Sequence, residues 1–137
     1  MEKITRIGVY GIAMQDDKIL LITQKKGPYA GKFDFPGGGI EFGETPEETL
    51  SREFIEEVNM TFSSLQLYDN LTTMTNVPQH KDRAPFTFFH IGMIYNVFDV
   101  KTLSHSTQNE LLFQWTEINT LKKEQCSSTL WKYVQNL

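Results

Sequence analysis

Apolar and β-branched residues dominate positions 4–14 and 18–24, and the Gln15-Asp16-Asp17 between them is a turn signal. The start of the chain therefore reads as a β-hairpin. The segment 27–32, GPYAGK, reads as a loop, and 33–35 as a short extended piece leading into Gly37-Gly38-Gly39. The period then changes. Leu50, Phe54, Ile55 and Val58 recur at helical spacing, while Glu53, Glu56 and Glu57 share a sector with Thr49 and Met60 on the other side. Residues 62–73 and 86–100 return to strand composition, with 75–84 read as an exposed loop between them. A short strand at 111–116 and a helix at 127–137, on the spacing of Leu130, Val134 and Leu137, complete the pattern. Strands outnumber helices, and the expected class is α+β, a mixed sheet clasped by helices on its faces.

The central helix carries its own boundaries. Thr45 is an N-cap residue, Pro46 suits the first helical position, and Glu48 three residues after the cap completes a capping box. Asn59 tolerates the left-handed conformation that closes many helices, so about twelve residues in three turns are expected. Carboxylates at i, i+3 and i+4 repel one another by a few tenths of a kcal/mol per pair. Only Arg52, one turn before Glu56, offers an offsetting cation. A glycine turn exposing backbone carbonyls, followed by carboxylates on one helix face, suits hard divalent cations such as Mg²⁺ and, with them, phosphate chemistry.

The spacing of Gly38, Glu44, Arg52, Glu53, Phe54, Glu56, Glu57 and Met60 resembles the signature of the Nudix hydrolases, with Asn59 where that family has glycine. The upstream Phe33-Asp34-Phe35-Pro36-Gly37-Gly38-Gly39 resembles the entry to the same motif. The resemblance implies a Nudix-type α/β/α sandwich: a four-stranded mixed sheet, a smaller antiparallel sheet and the motif helix packed on them. It implies attack of water on phosphorus in a nucleoside diphosphate derivative or nucleoside triphosphate, with Mg²⁺ (or Mn²⁺ as substitute) as cofactor. The implied metal set is Glu53, Glu56 and Glu57 with a carbonyl of Gly37 or Gly38, with Arg52 orienting the glutamates. Glu44 would close the turn. A late glutamate often serves this family as extra ligand or base, and Glu110, after Gln108 and Asn109 and before Phe113 and Trp115, is the candidate here. The alternatives are a catalytically silent ligand-binding version of the fold, which would be expected to lose the glutamates, and a calcium module, which would alternate its acids along a loop.

The remaining composition narrows the partners. At 137 residues the chain fits one domain, 1–137, able to bury a core without staples. A net charge of −4 disfavours bulk nucleic acid as partner, since many phosphates call for a basic face. The single cysteine, Cys126, near the start of the last helix, fits a reducing compartment, and without a signal-like or membrane-length apolar run the expected location is the cytoplasm. A small organic diphosphate or nucleotide is the expected partner, of a monomer or homodimer. Lys25, Lys32 and Glu41 are candidate substrate contacts, with Lys26 beside them. Tyr29, Phe33 and Tyr95 could stack on a base, although core packing is the commoner use of aromatics on strands. His80, His90 and His105 show no ligand spacing, and His90 reads as a core-edge or pocket residue.

Overall fold

The computed structural model describes residues 1–105 and 110–137. Its strands are β1 (Glu2–Ile12), β2 (Met14–Gln15), β3 (Lys18–Thr23), β4 (Phe33–Asp34) and β5 (Gly37–Gly39), followed by helix α1 (Pro46–Val58). Then come β6 (Met60–Thr61), β7 (Ser64–Val77), β8 (Phe86–Phe98), β9 (Lys101–Thr102), β10 (Phe113–Glu117) and helix α2 (Ser128–Gln135). Strands β5-β1-β8-β7 form a mixed sheet in which β1 and β8 run parallel and the outer pairs antiparallel. A second, antiparallel sheet is ordered β10-β3-β2, with β4 also on β3. A two-stranded ribbon, β6-β9, follows α1.

Alternation along β1 assigns its side chains to two cores. Val9 joins Leu50, Phe54 and Val58 of α1 and Tyr95 and Val97 of β8 on one face. Tyr10 and Ile12 join Leu71, Ile94 and the α2 residues Leu130 and Tyr133 on the other. Each fully buried aliphatic or aromatic side chain contributes roughly 2 to 3 kcal/mol of transfer free energy. The two helices are held on opposite faces by this burial.

Several boundaries differ from the sequence pattern. Asp16 and Asp17, at φ of 52° and 63°, make a two-residue turn between β2 and β3, so the expected first strand divides at Ala13 and Gln15 is paired. Strand β7 begins at Ser64 and extends to Val77, and Thr75, Asn76 and Val77 pair with Phe88, Thr87 and Phe86. The expected loop at 75–84 therefore shrinks, because the long β8 offers ladder partners that outweigh weak local strand propensity. The last strand is shifted to Phe113–Glu117, and the last helix stops at Gln135. On α1, Ile55 is exposed and Thr49 is buried, the reverse of their sequence assignment, and Met60 is buried in β6. At about 100° per residue, Glu57 and Glu53 lie near the edge of the Leu50-Phe54-Val58 stripe rather than opposite it, while Ile55 points away. Tyr29, Phe33 and Tyr95 all pack in or against the hydrophobic core.

Candidate active site

Helix α1 starts and stops where its caps dictate. The Thr45 side chain accepts from the Glu48 N–H and the Glu48 carboxylate accepts from the Thr45 N–H, closing the capping box. Asn59 ends the helix at φ 56°, ψ 41°. With both ends fixed, the acidic flank of the helix faces the glycine turn.

Gly37, at φ +146° and buried, permits that approach. A Cβ there would lie 2.1 Å from the Val9 carbonyl oxygen, so no other residue fits between this turn and β1. The Gly37 N–H donates to Glu57 Oε1 at 2.9 Å. A Cβ on Gly38 would sit 2.7 Å from the Glu53 carboxylate, so that carboxylate rests directly on the turn backbone. Two carboxyl groups are thereby seated on one stretch of bare main chain.

Arg52 binds the acids together. Its Nε donates to Glu44 Oε2 at 2.7 Å and its Nη2 to Glu44 Oε1 at 2.9 Å, a two-pronged pair. Its Nη1 donates to Glu53 Oε1 at 2.9 Å and to Glu56 Oε2 at 3.4 Å, and Glu41 lies 3.8 Å away. The i,i+4 partner Glu56 is thus a minor contact. Glu44 also accepts from the Glu41 N–H and the Thr49 hydroxyl, and the Arg52 hydrogen bonds are the main reason its carboxyl is held down to about 2. Arg52 itself is raised above the usual arginine range, chiefly by Glu44.

The inner acids behave in the opposite way. Burial pushes Glu57 up to about 8, opposed by the Gly37 N–H and aided by the charges of Glu53, Asp34 and Glu56. Burial likewise raises Glu53, with Arg52 opposing. Among the described residues no three His, Cys, Asp or Glu side chains enclose a point on their own. The donor set nevertheless fits a hard cation. It is all oxygen, its carboxyl groups stand together beside the turn, and its missing ligands can come from the glycine carbonyls and water.

The other predicted contacts are less central. Glu41 is exposed in the loop. Glu110 is half-buried, next to Leu111, whose N–H donates to the Glu57 carbonyl at 2.8 Å, so its backbone runs beside the end of α1. Gln108 and Asn109 lie outside the described residues. A cleft of about 840 Å³ opens on the α2 side of the mixed sheet, and Lys26 lines it whereas Lys25 and Lys32 do not.

His90 lines that cleft, as its pocket reading from the sequence expected, but Asp34 on the floor was not singled out. Asp34 is buried there, its oxygens accepting from the Phe35 N–H, the Ser127 hydroxyl and the Gln24 amide, and desolvation raises it to about 6. An acid between Phe33 and Phe35 was the available signal. His90 joins Tyr10 Oη at 2.8 Å through Nε2 and Thr129 Oγ1 at 3.1 Å through Nδ1. Burial and the Arg6 charge lower His90 to about 4, so the imidazole is neutral near pH 7.

Comparison with known proteins places this geometry. The fold resembles the MutT NUDIX hydrolase from Burkholderia pseudomallei, with TM-score 0.77 and 18% identity over 98% of this chain and 98% of that chain. In sequence the chain is 48% identical over 94 residues to the ADP-ribose pyrophosphatase of Methanocaldococcus jannaschii, covering 69% of this chain and 50% of that protein. It is 40% identical over 63 residues to the 8-oxo-dGTP diphosphatase of Escherichia coli (strain K12), covering 44% of this chain and 49% of that one. The chain spans about half the length of these curated relatives. The NUDIX domain model matches residues 4–137, from the first strand through the glycine turn to the last helix, and the chain belongs to the Nudix family.

Proposed function

We propose that the chain is a divalent-cation-dependent pyrophosphohydrolase that cleaves a diphosphate linkage in a nucleoside diphosphate derivative or nucleoside triphosphate. The observation that carries this reading is the seating of Glu53 and Glu57 on the Gly37–Gly38 backbone, with Arg52 and Glu44 locked behind them. The names of the relatives, an ADP-ribose pyrophosphatase and an 8-oxo-dGTP diphosphatase, support the same reaction class. Glu53, Glu56 and Glu57 with a backbone oxygen of Gly37 or Gly38 would hold Mg²⁺, or Mn²⁺ in its place. When bound, such an ion supplies neutralisation of phosphate charge and acidification of a water.

The chain's own residues do the rest. Arg52, its donors spent on carboxylates and the Gly39 carbonyl, is a positioning residue that keeps Glu53 turned to the glycine turn. Glu57, held beside the turn by the Gly37 N–H, is one candidate to accept a proton from the attacking water in its ionised form. Glu110 is the second candidate for that proton. The buried, unpaired Cys126 agrees with a reducing compartment, and we assign the chain to the cytoplasm.

The test is release of monophosphate from a panel of nucleoside triphosphates, nucleotide sugars and dinucleotides, with and without Mg²⁺. We expect activity only with the cation and a loss of roughly 10²-fold or more in Glu56→Gln, which removes one charge at nearly constant shape. A rate within threefold of the parent would remove Glu56 from the metal set. In the same assay Glu110→Gln reports on the base: a pH profile overlaying the parent's leaves that role to Glu57.

A further inference from the structure

The cleft on the α2 side of the mixed sheet is cationic in a chain whose net charge is −4. Arg6, Lys26 and Arg83 line it, and the one lining acid, Asp34, is buried with both oxygens already accepting hydrogen bonds. Arg6 and Lys26 are exposed, and neither forms an ion pair among the described residues. The contact of Arg83 with Glu2, 3.4 Å between two exposed side chains, is of a kind worth well under about 1 kcal/mol. A concave surface with three cations and one lining acid, that acid buried and hydrogen-bonded, concentrates anions.

Two of these cations stand on fixed backbone. Arg6 lies within the β1–β8 ladder, paired with His90. Arg83 closes a tight turn through two backbone hydrogen bonds with His80, at 3.1 and 2.9 Å, and its guanidinium stands 4.5 Å over the Phe86 ring. Planar guanidinium groups match the oxygens of a phosphate two at a time.

The cleft also leads away from the glutamates. Tyr10, on its floor, pairs with Gly37 across β1 and β5, so this end adjoins the turn that seats Glu57. Arg6 is four residues back on the same face of β1, roughly 13 Å away at strand rise, and Ile4 is roughly 20 Å away. A substrate whose diphosphate meets the glutamates would therefore reach Arg6 and Arg83 with its distal part.

We propose that this cleft selects a substrate carrying a second anionic group, a phosphate remote from the scissile diphosphate, with Arg6 and Arg83 as its specificity-determining residues. The inference rests on the reaction class proposed above. It assigns the substrate class as nucleotide derivatives phosphorylated on a sugar hydroxyl or at a distal end. The acidic balance of the chain as a whole disfavours a nucleic-acid polymer, which calls for a continuous basic face.

The experiment compares pairs that differ only in the remote phosphate, ADP-ribose with 2′-phospho-ADP-ribose and NADH with NADPH, at saturating Mg²⁺. The expected result is a kcat/KM at least about tenfold higher for the phosphorylated member, expressed in KM and diminished by added salt. Arg6→Gln and Arg83→Gln, both at exposed positions, should each reduce that ratio severalfold, while Lys123→Gln, outside the cleft, should leave it unchanged. Equal kcat/KM within each pair, or a ratio indifferent to both arginine substitutions, overturns the proposal. If no member is hydrolysed and the wider nucleotide panel also gives no product, the reaction class fails; in either case calorimetric titration of adenosine 2′,5′-bisphosphate against adenosine 5′-monophosphate decides the cleft separately. Tighter binding of the bisphosphate, lost in Arg6→Gln, supports the cleft, and equal binding overturns it.

Discussion

Asp34 shows how a single buried charge sets a pH dependence. Its carboxyl is raised from 3.8 to about 6 because burial disfavours the ionised form, and the hydrogen bonds from Ser127, Gln24 and the Phe35 N–H only partly offset that. A group raised on folding lends its full stability below the unfolded value and loses it as pH climbs through the folded one. Ionising Asp34 between about pH 4 and 7 therefore costs on the order of 3 kcal/mol. Asp34→Asn keeps the acceptor for Ser127 and Phe35, and the Gln24 amide can turn to receive the new donor. The variant should melt above the parent at pH 8, and the advantage should vanish near pH 4. Calorimetric melts of both proteins across that range measure the difference, and a parallel offset at every pH would discount the buried charge as its cause.

At the scale of the element, the end of α1 matters most, because it fixes where Glu56 and Glu57 stand. Asn59 adopts the left-handed conformation, and its Nδ2 donates to the Leu103 carbonyl at 3.2 Å, while the Leu103 N–H donates to the Asn59 carbonyl at 2.9 Å. The side chain thus also ties the helix end to the segment after β9, a contact the cap argument alone did not foresee. Its Oδ1 is buried without a partner among the described residues. Glycine would lose one hydrogen bond, worth about 1 kcal/mol, but would relieve the backbone cost and the unpaired oxygen. We expect Asn59→Gly to change stability by no more than about 1 kcal/mol, whereas Asn59→Ala, with the conformational cost and no bond, should lose about 2 kcal/mol. Urea unfolding midpoints separate the two, and equal losses would mean that the left-handed backbone is not what Asn59 supplies.

For the whole molecule, the acid cluster is a charge excess that folding brings together and a cation would relieve. Glu53 and Glu57 are both raised by burial beside one another, so a bound divalent ion should stabilise the native state by mass action, about 2.7 kcal/mol at a hundredfold excess over Kd. In a chain of this size that corresponds to a rise in Tm of several degrees. Mg²⁺ or Mn²⁺ should raise Tm in the parent, with a smaller effect in Glu53→Gln. An unchanged parent Tm at millimolar cation would contradict cation binding without reference to any assay of activity.

Much of this was legible in the residues themselves. Thr45, Pro46 and Glu48 specify the start of α1 because capping is local, closed within four residues of chain, and Asn59 specifies its end for the same reason. The glycine run and the glutamate spacing mark the candidate site because Gly37 alone fits against β1 and Gly38 leaves room for the Glu53 carboxylate. What distance in sequence separates, only the fold could join. The partnership of Arg52 with Glu44 over its i,i+4 neighbour Glu56 depends on the loop folding back over the helix. The extension of β7 to Val77 depends on its partner strand β8, which begins only at Phe86. The cleft gathers Arg6 from β1, Lys26 from a loop and Arg83 from a turn, charges whose common field exists only once the sheet has brought them to one surface. Local hydrogen bonding and periodicity are written in short segments, whereas burial, long-range pairing and electrostatic potential are sums over neighbours that the tertiary structure alone supplies.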